Sequence, residues 1–256
     1  MITHRRDLAL PGGVEARVVF TGRGSAATGG SSRWPYSAAN LASHVGDDPA
    51  AVVAARTALA RALGVPAEAM TFMHPDHGRG VAVVGTPTGV AAGAEIRDVD
   101  ALVTDRSGIG LVALAADCVP VILVEPEARI VAAVHSGWRG VAVDVVGAAV
   151  AALVDLGGQP GRVVAHLGPA ICGRCYPVPA ERAAQVGAVR PEAVTRAPDG
   201  QPALDLRAGL LARLAELGIF GTLVGGCTAE DEGLYSHRRD GRTGRQGGAV
   251  ALVAAA

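Results

Sequence analysis

Short apolar runs closed off by Gly or Pro, alternating with stretches of helical period, constrain this chain most. Runs of this kind over Arg17–Phe20, Val81–Val84, Leu111–Ala115, Val119–Val124, Ile130–Val134, Arg162–His166, Thr222–Val224 and Ala249–Val253 predict strands. Helices are predicted between them. Asp48-Pro49 is a capping residue followed by a first-turn proline, and that helix runs through Leu59 and Leu63 to a stop at Gly64. A second helix is expected over Arg139–Leu156, ended by Gly157-Gly158. A third starts at Asp205, carries Leu206, Leu210, Leu214 and Leu217 as its apolar stripe, and stops at Gly218. Gly22–Trp34 is a Gly/Ser-rich loop. Alternation of this kind argues for an α/β protein. With no repeat and no long linker, one domain over residues 1–256 is expected.

Charge and cysteine content narrow the function classes. Basic residues number 23 against 24 acidic, so no basic excess asks for nucleic acid. Every basic residue other than His is Arg, which excludes Schiff-base lysine chemistry and leaves any phosphate clamp to guanidinium forks. No apolar run has membrane-spanning length, and the first residues lack the apolar core of a signal peptide. Four cysteines are too few for a disulfide framework in a chain of 256 residues. The expectation is a cytoplasmic protein with reduced thiols and no membrane partner. No motif assigns an oligomeric state.

Three segments place a metal-capable side chain at a strand end beside tight-turn residues. They are His74-Pro75-Asp76-His77-Gly78, Ala116-Asp117-Cys118-Val119-Pro120 and His135-Ser136-Gly137-Trp138-Arg139-Gly140. Two imidazoles and a thiolate suit Zn²⁺ and leave a fourth position open for water or substrate. From spacing alone, His74 and His77 are equal candidates. Cu²⁺ also fits a Cys/His set, because copper binds such sites more tightly than zinc. A separate Cys172-Gly173-Arg174-Cys175 pair has knuckle spacing but no second pair, and Cys227 could join it only through space. Its expected role is a packed turn.

At these residues the chain resembles the YfiH/YlmD-type family, also described as laccase-domain or multicopper-polyphenol-oxidase-like proteins. The motifs are Phe20-Thr21-Gly22-Arg23, Asn40-Leu41 with His44–Val52, Asp100–Thr104, Ala116–Val121, His135–Gly140, Gly168–Ile171 with Cys175-Tyr176, Cys227-Thr228, Ser236–Gly241 and Thr243–Gln246. The resemblance implies two packed mixed sheets with helices outside, a four-layer α/β/β/α arrangement. It implies zinc held by His77, Cys118 and His135, and so decides for His77 over His74. It implies purine nucleoside phosphorylase activity, with adenosine deaminase and methylthioadenosine phosphorylase activity beside it, on purine nucleosides and phosphate.

Three departures from the family pattern stand out. The usual Gln-Val-His-Gly is Pro75-Asp76-His77-Gly78, the Gly-Gly-Val-Ser loop is displaced to Gly29-Gly30-Ser31-Ser32, and Tyr-Glu-Val is Tyr176-Pro177-Val178. The candidate catalytic residues are Cys118, Arg139 and Asp117, with Asp240 an alternative to Asp117 for orienting a ligand or moving a proton. Arg23, Asn40, Arg238 and Arg239 are the candidate substrate-binding residues. Three other classes stay open: a cysteine or metal-dependent amide hydrolase acting on peptidoglycan precursors, a copper-dependent polyphenol oxidase, and a non-enzymatic scaffold whose zinc only staples strands. Seven histidines with no His-x-His pair argue against a true multicopper centre.

Overall fold

The strands form two sheets whose central members are buried on both faces. The computed structural model describes residues 1–25 and 30–255. The first sheet comprises β1 (Ile2–Leu10), β2 (Val14–Thr21), β3 (Met70–Phe72), β6 (Gly110–Ala115) and β13 (Gln246–Ala254), in the order β1-β2-β13-β6-β3. The second comprises β4 (Val81–Val83), β5 (Ala101–Thr104), β7 (Val119–Glu125), β8 (Ile130–Ser136), β9 (Val164–Leu167) and β12 (Phe220–Leu223), in the order β12-β9-β7-β8-β5-β4. Both are mixed: β3 runs parallel to β6, and β4–β5 and β9–β12 are parallel pairs among antiparallel neighbours. A short ribbon of β10 (Val194–Arg196) and β11 (Pro202–Leu204) stands apart.

Alternate residues of one strand feed different cores, as the two-residue repeat of side-chain direction requires. In β2, Val18 and Phe20 face the second sheet while Val19 faces α1 (Pro49–Leu63). In β8, Val131 and Ala133 face the first sheet, while Ile130, Ala132 and Val134 face the remaining helices. Those helices are α2 (Trp138–Val143), α3 (Val145–Asp155), α4 (Ala180–Gly187) and α5 (Leu206–Glu216). A one-turn α6 (His237–Asp240) lies in the loop before β13. The result is four layers, helix, sheet, sheet, helices, with three apolar interfaces.

Local signals hold where chemistry makes them. Asp48 accepts the Ala50 N–H at 2.9 Å, and Gly64 ends α1 in the left-handed region at φ 76°. Asp205 likewise caps α5 through the Ala208 N–H at 3.1 Å. One expectation needs correction, because the helix over Arg139–Leu156 is two helices. Asp144 sits between them at φ 60°, ending α2 and capping α3 by accepting the Gly147 N–H at 3.1 Å. Both its oxygens also meet the Arg213 fork, at 2.9 and 2.7 Å. Asp tolerates the left-handed region better than most residues, and these contacts hold it there.

Strand β1 has no apolar alternation to announce it. Its exposed Arg5, Arg6 and Asp7 suit an edge strand, where charge blocks pairing with other chains. The displaced loop Gly29–Ser32 begins outside the described residues, at Gly29. Among the described residues no helix is long and apolar enough to cross a membrane.

Candidate functional site

The ends of β3, β6 and β8 converge at one edge of the sheets. After β6, Asp117 turns the chain at φ 86° and delivers Cys118 to the start of β7. The β7–β8 register pairs Pro120 with His135 and Val119 with Ser136, so Cys118 comes level with Gly137. His77, beyond β3, is held at φ 61°. Left-handed residues other than Gly are costly and concentrate at functional sites. The ligand atoms of His77, Cys118 and His135 all lie within 4.8 Å of one another, and the two imidazole rings are nearly perpendicular with centroids 4.8 Å apart. A Cβ on Gly137 would stand 2.8 Å from Cys118 Sγ and 3.3 Å from the His77 ring. Only glycine lets the three groups close on one point there.

A residue with no assigned role in the sequence organises this cluster. Asp100, fully buried, accepts the His77 N–H at 3.0 Å and the Gly78 N–H at 2.6 Å. It also takes Nδ1 of His135 at 2.8 Å, which leaves Nε2 to face Cys118 and His77. Orienting a ligating imidazole through its other nitrogen is the usual second contact of a metal site. Burial alone would raise the Cys118 thiol, but His135 and His77 outweigh it and bring it down to about 6. Burial would lower His135, yet Cys118 and Asp100 hold it up at about 9. A thiolate beside two imidazoles is the donor set of a borderline-soft divalent ion, so the residues fit zinc. The same set also accepts copper.

The cluster opens into a cavity of about 580 Å³, within the range of small-molecule sites. Asp117, Cys118, His77, His135 and Arg238 line it, as do Trp138, Tyr176, His44, His74, Arg182 and Arg245. The guanidinium of Arg238 lies 4.8 Å over Tyr176, and that of Arg182 lies 4.7 Å over Trp138. Asp117 has both oxygens committed, accepting the Thr228 hydroxyl and the Arg238 N–H, each at 2.6 Å. Burial, then His74 and Arg245, push His44 down to about 4, so it is neutral at pH 7. A smaller cleft of about 380 Å³ beside His4, Arg6 and His166 gathers no comparable donor set.

The other candidates lie elsewhere. Arg239 points away from the cavity, bonding the Thr228 and Asp231 carbonyls at 2.9 Å each, the Leu234 carbonyl at 2.7 Å and Asp240. Arg23 pairs with the same Asp240 at 2.6 Å, which takes Asp240 out of the cavity as well. Arg139 is exposed outside the cavity, over the Trp138 ring at 5.3 Å. Asn40 is buried and fixes backbone, its Oδ1 accepting the Arg245 N–H at 2.8 Å. Arg245, in the sequence only a weaker phosphate candidate than Arg23, Arg139, Arg238 and Arg239, lines the cavity, and so does Arg182, which was absent from the candidate set because α4 carries no marking motif.

Comparison with known proteins agrees with this architecture. The profile described as multi-copper polyphenol oxidoreductase laccase matches residues 17–253. The chain is 46% identical over 253 residues to purine nucleoside phosphorylase ORF3 of Streptomyces griseus, covering 98% of this chain and 100% of that one. It is 35% identical to purine nucleoside phosphorylase YlmD of Geobacillus stearothermophilus, covering 85% of this chain and 84% of that one. The crystal structure of that YlmD superposes with a TM-score of 0.82 at 30% identity, over 94% of this chain and 92% of that one. YfiH of Bacillus licheniformis superposes with a TM-score of 0.84 at 26% identity, over 93% and 92%. By profile, by sequence identity and by shape, this chain belongs to the multi-copper polyphenol oxidoreductase laccase family.

Proposed function

We propose that the protein is a zinc-dependent purine nucleoside phosphorylase, converting a purine nucleoside and phosphate into the free base and ribose 1-phosphate. Adenosine, inosine and methylthioadenosine belong to its substrate class, and adenosine deamination is a companion activity. The observation that carries the proposal is the pairing of a two-imidazole, one-thiolate cluster with three cavity arginines and two aromatic faces. Relatives that bear the name purine nucleoside phosphorylase support it.

His77, Cys118 and His135 are the residues to hold the metal. Zinc bound there supplies a Lewis acid with an open position beside the substrate, a feature that phosphorolysis and deamination share. Arg182, Arg238 and Arg245 are the groups to bind phosphate, since a guanidinium matches two of its oxygens at once. Trp138 and Tyr176 offer flat apolar faces to a purine. Cleavage at the anomeric carbon develops positive charge on the ribose, which an anion held by these arginines stabilises. We assign Asp117 a positioning role, because its carboxylate anchors the Arg238 backbone and the Thr228 hydroxyl.

The test is release of hypoxanthine from inosine with and without phosphate, with zinc and copper measured on the same sample. Phosphate-dependent release by a zinc-loaded protein, lost with the metal in Cys118→Ala, is the expected result. The contact between Cys118 and His135 also suits a cysteine hydrolase. That enzyme would keep its activity under strong chelation and lose it to alkylation, with no need for phosphate.

A further inference from the structure

The Cys172–Cys175 turn does not stand alone. Cys227 and Glu230 fold against it, and the three sulfurs and one carboxylate oxygen all lie within 4.8 Å of one another. We infer that Cys172, Cys175, Cys227 and Glu230 form a second metal site, a closed structural site for Zn²⁺ separate from the cavity.

The donor set is complete without solvent. A tetrahedral zinc with Zn–S near 2.3 Å places its sulfurs about 3.8 Å apart, so the cluster needs only a small contraction to close. The frame for that contraction exists. The Cys175 N–H meets the Cys172 carbonyl at 3.0 Å, which sets the tight turn between the paired cysteines. The Cys172 N–H donates to Cys227 Sγ at 3.3 Å, the kind of amide contact that steadies a sulfur carrying negative charge. Cys175 Sγ donates to Glu230 Oε1 at 3.4 Å, which puts the fourth ligand in place. Ala170 and Cys227 form a parallel bridge, and the Thr228 N–H reaches the Ala170 carbonyl at 3.2 Å, so the two segments are tied by backbone. All four cysteines of the chain are free thiols.

The position explains what such a staple does. Ile171, beside Cys172, donates its N–H to the Asp117 carbonyl at 3.0 Å. Thr228, beside Cys227, donates its hydroxyl to the Asp117 carboxylate. The metal joins the two arms that grip Asp117, one residue before Cys118, and Tyr176 follows the second cysteine into the cavity wall. Closing the cluster therefore stiffens one side of the cavity from outside it.

Metal content of purified variants decides the matter, with folding followed by circular dichroism. Cys118→Ala, which breaks the cavity site, should retain one zinc per chain. Adding Cys172→Ser and Cys227→Ser should remove it. Cys172→Ser alone in the otherwise unchanged protein should lower the content from two zinc to one. Cobalt substitution of Cys118→Ala should show the intense thiolate-to-metal charge-transfer band of a three-sulfur site, and the triple variant should lack it. A folded Cys118→Ala protein free of zinc would overturn the inference. So would zinc that survives in the triple variant, or a disulfide among these cysteines in protein prepared under reducing conditions.

Discussion

Asp100→Asn tests how much of the metal cluster depends on one buried carboxylate. The side chain is fully buried and receives three donors: the His77 and Gly78 N–H groups and the Nδ1–H of His135. Burial would raise its pKa, but His135 and the two amides prevail and hold it below the usual carboxylate range, so it is ionised at neutral pH. An isosteric amide keeps the shape, yet one of its two ends is now an NH₂ facing a donor. Whichever way it turns, at least one part-buried N–H loses its partner, and a buried donor left unpaired costs about 1–3 kcal/mol, an upper bound here. His135 also loses the anion that sets its tautomer and raises its basicity. Loss of such an orienting contact typically lowers metal affinity or activity by about 10- to 100-fold, equivalent to about 1.4–2.8 kcal/mol. Competition against a chromophoric chelator should show zinc affinity weakened by that factor. Thermal unfolding of the metal-free protein should fall as well. Activity on inosine at limiting zinc should drop and recover partly with excess metal. Unchanged zinc affinity in a folded Asp100→Asn protein would refute the role given to this residue.

Other outcomes follow from the same geometry. Gly137→Ala places a methyl 2.8 Å from Cys118 Sγ and should reduce zinc content while leaving the circular dichroism spectrum intact. Arg182→Ala should raise KM for phosphate far more than KM for nucleoside, by about 10- to 100-fold if one charge-assisted pair worth about 1.5–3 kcal/mol is lost; an effect confined to the nucleoside would be contrary. Arg56 and Glu95 form a fully buried pair 2.5 Å apart, and removing one partner of such a pair costs about 3–5 kcal/mol. Burial raises the Glu95 carboxyl, but Ser43 and Arg56 outweigh it and leave it below its ordinary 4.5. Its contribution is therefore present above that pH and is lost as pH falls through the lower folded value. Glu95→Gln should be less stable near neutrality and show a shallower fall in Tm on acidification, which melting curves across pH will measure.

Much of the fold was legible because local chemistry and global packing agree. Asp48-Pro49 and Gly64 mark α1 by capping rules that operate within a few residues, and the apolar runs from Leu111 to Val134 are strands buried on both faces. Where the two levels differ, the sequence misleads. The break at Asp144 depends on Arg213, distant in the chain, and β1 hides behind its edge charges. The metal-capable residues were visible because His and Cys beside tight turns are chemically distinctive. Choosing His77 over His74 took the family likeness, and the meeting of the three side chains within 4.8 Å is a product of the fold.

By itself, then, the sequence determined the apolar strand runs, the capped helices and the three metal-capable segments, since each depends on side chains within a turn or two. Tertiary structure decided which arginines face the cavity, that Asp100 steers His135, and that Cys227 and Glu230 join the Cys172–Cys175 turn. Those outcomes depend on β7 and β8 pairing in one register and on the β13 approach crossing back to the first strands. A guanidinium has the same chemistry in Arg239 and in Arg245. Both bond backbone carbonyls, and only the path of the chain settles that Arg245 also lines the cavity.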